Sequence, residues 1–272
     1  EIPLGKDYVL AVQKWAELTL SETPPNGLIT FRYVAERYQR DVLPNKALAT
    51  RKINLREIGH LYKFFDDPPA PLDSIESINI RQYLDWRSKA KIRANREKAL
   101  FSHIWNYARD KGLTNKPNPC TGIKGFKEVG RDSYIDDAVY KAVWDTAEEP
   151  LRDALDLAYL TGQRPADILK VSRADIKDDE LHIQQNKTGK RLRISIEGEL
   201  ATLIKRMRSR KVSGLLLVNN ADGLPMSAFM LRGAFDRARV AAIKNNPALE
   251  AQIKAFQFRD LRAKAGTDKE AS

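Results

Sequence analysis

The chain contains a single cysteine, Cys120, and only three histidines, which are widely separated at positions 60, 103 and 182. A lone thiol excludes an internal disulfide and a zinc site built from several thiolates. The scattered histidines offer no metal cluster, and no P-loop spacing is present, so we expect neither a metal nor any other cofactor. No apolar run approaches the length of a membrane span, so we expect no membrane partner and take the cytoplasm as the default location.

Positive charge is what the chain has in excess. Its 272 residues carry a net charge of +11, and the first half is the more cationic. Such a balance favours a polyanionic partner, namely DNA, RNA or an acidic membrane, although a merely soluble basic protein is the alternative on charge alone. The apolar fraction of 42% is enough for packed cores, and the length suits two domains.

The sequence pattern divides the chain into four segments. Residues 1–27 hold one helical pattern, at 6–22, that ends in a Ser-, Pro- and Gly-containing break. Residues 28–116 hold four short helical patterns, the first capped by Thr30, and predict a helical domain. Residues 117–130 contain prolines and glycines and are typical of a linker.

Residues 131–272 predict a mixed but mainly helical domain. Alternation predicts two strands, at 181–184 and 192–196, joined by a polar turn at 186–190. Residues 215–218 read as a short buried strand or an extended core segment. Ser227 is a candidate cap for a later helix.

Three places in this last segment carry candidate phosphate ligands, and each has a plain structural alternative. Arg164 follows a Thr-Gly turn at the expected start of a helix, which favours an anion, but it could merely pair with Asp167. Lys187 lies in the polar turn, where a lysine is usually just solvated. Arg259 and Arg262 are three residues apart and therefore share a helical face, which could equally be an exposed basic face balanced by Asp260.

A basic cluster lies at the join between the third and fourth predicted helices. We interpret it as a ridge that contacts DNA phosphates, since each such contact releases counterions; the alternative is a solvated helix end. Its members are Arg87, Lys89, Lys91, Arg93, Arg96 and Lys98.

Taken together and in this order, these residues resemble a known family. Thr-Gly-x-Arg-x-x-Asp-Ile-Leu around Arg164, then Lys187 in a hairpin turn, then Arg259-Asp-Leu-Arg262, is similar to the catalytic domain of tyrosine site-specific recombinases, the phage integrase family. The resemblance implies a mainly α fold with a small β-sheet. A helical core-binding domain and a mixed α/β catalytic domain would form a C-shaped clamp on duplex DNA. Residues 1–27 would follow a missing arm-binding domain.

The resemblance also implies a mechanism. Arg164 and Arg262 would hold the non-bridging oxygens of a phosphodiester, and Lys187 would protonate the departing 5′ oxygen. Arg259 stands where the family most often has histidine; arginine cannot act as a base at neutral pH, so we assign it phosphate binding or leaving-group stabilisation. Asp167 and Asp260 are interpreted as orienters of the neighbouring arginines.

The family's nucleophilic tyrosine would follow Arg262, and only ten residues do so in this sequence. We therefore expect residues 1–272 to bind DNA without cutting it alone. The implied reaction is integration or excision of a phage or integrative element in a bacterial host, through a 3′-phosphotyrosyl intermediate. The implied partners are double-stranded core sites and a homotetramer, with accessory DNA-bending or directionality proteins as further candidates.

Three other interpretations stay open on the sequence. A transposase or resolvase branch of the same family would differ only in the DNA sites used. A non-enzymatic DNA-binding regulator could keep the fold without the chemistry. A generic RNA-binding module is the third, although the sequence lacks the clustered surface aromatics that base stacking requires.

Overall fold

The computed structural model describes residue 11 and residues 27–131, 134–209 and 214–271. The helix predicted over residues 6–22 therefore lies outside the described residues, apart from position 11. The chain divides into two units, with the junction between Gly130 and Arg131. Within the described ranges, no helix is long and apolar enough to cross a membrane.

The first unit is a helical bundle around an aromatic core. Thr30 caps its first helix as predicted, because its side chain accepts a hydrogen bond from the backbone N–H of Tyr33 (3.2 Å). The last helix ends at Asp110, and Gly112, two residues later, has a φ of 66°, the left-handed conformation common just after helix ends. Phe101 stacks on Phe31 in the core, with ring centroids 4.9 Å apart. The helices are α1 (Phe31–Asp41), α2 (Leu48–Phe65), α3 (Ser77–Trp86) and α4 (Lys91–Asp110).

The second unit packs helices and a small sheet around a separate aliphatic core. Ser227 caps the longest of these helices as predicted, accepting a hydrogen bond from the N–H of Met230 at 3.2 Å. The helices are α5 (Asp137–Asp145), α6 (Glu149–Thr161), α7 (Pro165–Ile168), α8 (Gly198–Arg208), α9 (Ala228–Asn245), α10 (Glu250–Ala255) and α11 (Leu261–Ala271).

The sheet has three antiparallel strands in the order β1 (Ile176–Lys177), β2 (Glu180–Gln184) and β3 (Arg191–Ser195). The two longer strands match the alternating patterns of the sequence. The two-residue β1 is too short to leave a pattern, so it was not predicted. The fold class, mainly helical with a small sheet, is confirmed.

Residues 215–218 form an extended core segment and not a regular strand. One isolated bridge joins Leu216 to Ser172, and the N–H of Leu217 donates to the carbonyl oxygen of Val171 (2.8 Å). Leu217 and Val218 are buried. Of the two readings of this stretch, the extended core segment is the one observed.

Candidate phosphate-binding site

Arg164 lies at the turn between α6 and α7. Gly162 ends α6 with a φ of 64°, which reverses the chain, and Arg164 is the residue immediately before α7, with Pro165 at the first helical position. The helix that follows has only four residues, so the expected contribution of a helix dipole is small. The guanidinium itself must therefore supply most of the attraction for an anion.

Asp167 faces Arg164 from the same turn. Its Oδ2 lies 3.8 Å from Arg164 Nη1, an ion-pair distance, and Arg164 retains 32% side-chain exposure. The other oxygen, Oδ1, accepts a hydrogen bond from the backbone N–H of Asn186 at 2.8 Å. Asp167 thus contacts both the arginine turn and the β2–β3 turn.

Lys187 projects from the turn between β2 and β3. Its side chain is exposed, and none of the described residues forms a hydrogen bond or ion pair with it. The residues around it are tied to the Arg164 segment: Asn186 Nδ2 donates to the carbonyl oxygen of Ala166 at 3.1 Å, and Lys170 donates to Asn186 Oδ1 at 2.8 Å. The β2–β3 turn is therefore fixed to the Arg164 segment, while the Lys187 side chain stays available to a ligand.

Arg259 and Arg262 come from two consecutive elements near the end of the second unit. Arg259 lies in a short 3-10 turn (Phe258–Asp260), and Arg262 lies in the first turn of α11. The turn is closed because Asp260 Oδ2 accepts the N–H of Gln257 at 2.8 Å. Both arginine side chains are exposed.

Asp260 binds an arginine that sequence reasoning missed. Arg131 Nε donates to Asp260 Oδ1 at 2.9 Å, and its Nη2 donates to Oδ2 at 2.8 Å. Arg131 also donates to the carbonyl oxygen of Ala255. Asp260 is buried, so this bidentate pair fixes the turn that carries Arg259. Asp260 thus orients Arg131, and its role toward Arg259 is indirect.

Packing within the second unit brings these segments together. A Cβ placed on Gly162 would lie 3.7 Å from the Cβ of Ala265, so the end of α6 packs closely on α11, the helix that carries Arg262. A cavity of about 470 Å³ has both Pro165 and Arg259 in its wall. The segments that carry Arg164, Arg259 and Arg262 therefore pack beside one another in the second unit.

Every tyrosine in the described residues has a hydroxyl that is already hydrogen-bonded within the protein. In the second unit Tyr134 and Tyr159 both donate to Asp268 (2.7 Å each), and Tyr140 donates to Asp156. Burial and the hydrogen bond to Asp268 raise the pKa of Tyr159 to about 12. The hydroxyls of the first unit are also engaged, namely those of Tyr33, Tyr38, Tyr62, Tyr83 and Tyr107.

The basic cluster of the first unit is divided into internal and exposed members. Arg87 donates to both carboxylate oxygens of buried Glu97 at 2.8 and 2.6 Å, and Tyr83 donates to the same group at 2.7 Å. Lys98 donates to the carbonyl oxygen of Ile123. The exposed members are Lys89, Lys91, Arg93 and Arg96, of which Arg96 pairs with Glu128 at 3.1 Å.

The hydrogen bonds to Glu97 lower the pKa of its carboxyl group. Burial alone raises the pKa of Glu97, but the hydrogen bonds from Arg87 and Tyr83 outweigh it and hold that pKa below its ordinary range. The guanidinium of Arg87 is therefore committed to a carboxylate inside the unit. A phosphate contact by the cluster rests on the exposed members.

Two buried glutamines near Lys187 were also missed. Gln163 lies inside the Thr-Gly-x-Arg motif, and Gln185 continues the inward face of β2 after Leu181 and Ile183. A polar residue at an inward position of an alternating strand is the signal that could have found Gln185.

Comparison with known proteins shows that the chain is similar to phage integrases. Residues 134–268 match the model described as the phage integrase family. The integrase of Escherichia phage HK022 is 30% identical over 162 residues, which cover 55% of this chain and 45% of that protein. The chain spans about half the length of the phage integrases it matches, since the lambda integrase match covers 52% of that protein.

Solved structures show the same fold at lower identity. A lambda integrase fragment, crystallised as a dimer bound to a COC′ core site, has a TM-score of 0.74 at 20% identity, covering 87% of this chain and 88% of that one. A lambda integrase tetramer bound to a Holliday junction has a TM-score of 0.75 at 21% identity, covering 97% and 80%. The Tn1549 transposon integrase on circular intermediate DNA scores 0.68 at 15% identity, covering 88% and 85%.

Proposed function

Since this chain belongs to the phage integrase family, we propose that it carries out site-specific DNA recombination through a covalent 3′-phosphotyrosyl intermediate. The observation that supports the proposal is that the Arg164 turn contacts the Lys187 turn through Asp167 and Asn186, while the segments carrying Arg259 and Arg262 pack beside the ends of α6 and α7. Arginine and lysine side chains that stay charged and partly or fully exposed suit a phosphodiester, which gains negative charge as it is attacked.

The two motif arginines bind the scissile phosphate in this mechanism. A planar guanidinium offers paired donors that match two oxygens of a phosphate and stays charged throughout the working pH range. Arg164 and Arg262 each hold a non-bridging oxygen, and Asp167 limits the freedom of Arg164 from 3.8 Å away. Arg259 adds a third donor for the phosphate or the leaving oxygen and abstracts no proton.

Lys187 is the general acid. A tyrosine hydroxyl outside the described residues attacks phosphorus, so that an O–P bond forms, the P–O5′ bond breaks and the phenolic proton passes to water. The leaving 5′ oxygen takes a proton from the Nζ of Lys187. Its side chain is exposed and forms no hydrogen bond or ion pair with the described residues, which suits a group that must reach the DNA. Reversal of these steps joins the new strand, so neither a metal nor a nucleotide is consumed.

The partner in this proposal is duplex DNA, gripped by both units. The exposed members of the basic cluster, Lys89, Lys91, Arg93 and Arg96, supply phosphate contacts that carry no sequence information. Strand exchange between two sites requires four active sites, so the working assembly is a tetramer of the intact protein.

The test uses the full-length gene product and duplexes selected for binding from a random library. We expect a protein–DNA adduct that survives denaturation and is lost from Arg164→Ala and Arg262→Ala. Arg237→Ala is the matched control, because Arg237 is an exposed arginine of α9 that pairs with Glu148. Tight binding with no adduct on any selected duplex would contradict the proposal and favour a DNA-binding regulator.

A further inference from the structure

Gln185 is a buried amide at the point where β2 enters the Lys187 turn. Its side chain is only 5% exposed. Its backbone closes the turn from both ends, since its N–H donates to the carbonyl oxygen of Lys190 (2.8 Å) and its carbonyl oxygen accepts the N–H of Gly189 (2.9 Å). Lys187 lies inside the loop that these two bonds close.

The side-chain amide of Gln185 joins three separate groups. Its Nε2 donates to Gln163 Oε1 at 2.8 Å, and Gln163 is itself held because its Nε2 donates to the carbonyl oxygen of Thr161 at 2.9 Å. Its Oε1 accepts the hydroxyl of Thr188 at 2.9 Å and lies 3.5 Å from Arg164 Nη1. One amide oxygen therefore contacts both the phosphate-binding arginine and the residue directly after the general-acid lysine.

A buried amide is retained at a cost unless its polar atoms are paired, and here both atoms are paired with residues of the site. An apolar residue would fit the inward face of β2 equally well, as Leu181 and Ile183 do. Core packing therefore does not require an amide at position 185, whereas the contacts with Thr188 and Arg164 do.

We propose that Gln185 is a positioning residue, which fixes the Lys187 turn relative to Arg164 so that the proton donor and the phosphate ligand meet the same phosphodiester. This role rests on the proposed function. It acts through Thr188 and Arg164, and Gln185 itself does not touch the DNA. Losing the amide lets the lysine turn move independently of the arginine, and a misplacement of about 1 Å costs roughly 10²-fold in rate.

The test separates proton donation from folding by changing the leaving atom. A duplex with sulfur in place of the 5′ bridging oxygen at the cleavage site expels a thiolate, whose conjugate acid has a pKa of about 8.5. An alkoxide resembles hydroxide and is a far poorer leaving group, because its conjugate acid has a much higher pKa than a thiol. The sulfur duplex therefore needs no general acid, and only the oxygen duplex reports on the placement of Lys187.

Two variants of the full-length gene product carry the test. Thr188→Val removes the hydroxyl that donates to Gln185; we expect single-turnover cleavage of the oxygen duplex to fall by about 10- to 100-fold and cleavage of the sulfur duplex to stay near the wild-type rate. Gln185→Leu should lower both rates, and the oxygen rate more, because it also releases Arg164.

A conservative change supplies the rescue. Thr188→Ser keeps the hydroxyl that donates to Gln185, so it should remain within about threefold of the wild type on the oxygen duplex. Gln184→Ala is the matched control, since Gln184 is the exposed neighbour on the opposite face of β2 and should leave both rates unchanged.

The outcomes are distinct. Equal losses on the two duplexes, or no loss from Thr188→Val and Gln185→Leu, would overturn the positioning role while leaving the recombinase proposal intact. A wild-type protein that binds but cleaves neither duplex would contradict the proposed function and this role with it.

Discussion

The buried Arg87–Glu97 pair allows a quantitative prediction that is independent of the chemistry. Glu97 has 1% side-chain exposure and accepts three hydrogen bonds, two from Arg87 and one from Tyr83. Arg87→Ala removes two of them and leaves a carboxylate in the interior with a single donor. Removal of one partner of a buried pair costs about 3–5 kcal/mol. Because Arg87 retains 18% exposure, we expect the lower end, about 3 kcal/mol.

The assay is calorimetric unfolding of the chain, with hydrogen exchange of α4 to identify the transition of the first unit. A loss of about 3 kcal/mol corresponds to a fall in Tm of roughly 12–24 °C for a domain of about 100 residues. Arg96→Ala is the control, since Arg96 has 62% exposure and an exposed partner in Glu128. A loss below about 0.5 kcal/mol for Arg87→Ala, equal to that of the control, would show that buried Glu97 does not depend on Arg87.

Three further predictions follow from the same contacts. Arg93→Ala should lower the slope of log affinity against log salt by about 1, while Arg87→Ala, corrected for folding, should leave it unchanged; fluorescence anisotropy with mixed-sequence duplex measures both. Glu97 has a lowered folded pKa, so its stabilisation is present above its unfolded pKa of about 4.3 and is lost as the pH falls through the folded pKa. The stability gap between wild type and Arg87→Ala should therefore narrow below about pH 4 in urea titrations. Burial raises the pKa of Cys120 to about 12, so its alkylation at pH 8 should be far slower in the native protein than in urea.

Local features of the fold were predictable because their causes are local. Thr30 and Ser227 cap helices through hydrogen bonds to residues three positions later, which a short window of sequence contains. The strands β2 and β3 follow from alternation. The structure of residues 215–218 was ambiguous, since a short apolar run does not indicate whether a neighbouring strand will pair with it.

The sequence identified candidate site residues, but it did not predict which residues they contact. Arg131 and Asp260 are 129 residues apart, and no local pattern joins them. The role of Arg87 was obscured for the same reason: a basic cluster predicts surface charge, but the buried carboxylate that takes one of its members is fixed by packing of α3 on α4. Tertiary partners therefore decide which cations remain available to DNA.

The proposed reaction leaves a covalent link between a tyrosine and the 3′ phosphate of DNA, and peptide sequencing of the adduct detects that link. The full-length gene product is incubated with its selected duplex, the adduct is digested, and the DNA-linked peptide is sequenced by tandem mass spectrometry. We expect a 3′-phosphotyrosine on a tyrosine other than the eight in the described residues, and no such peptide from Arg164→Ala. A link through the 5′ phosphate or another residue type, or no link at saturating binding, would contradict it.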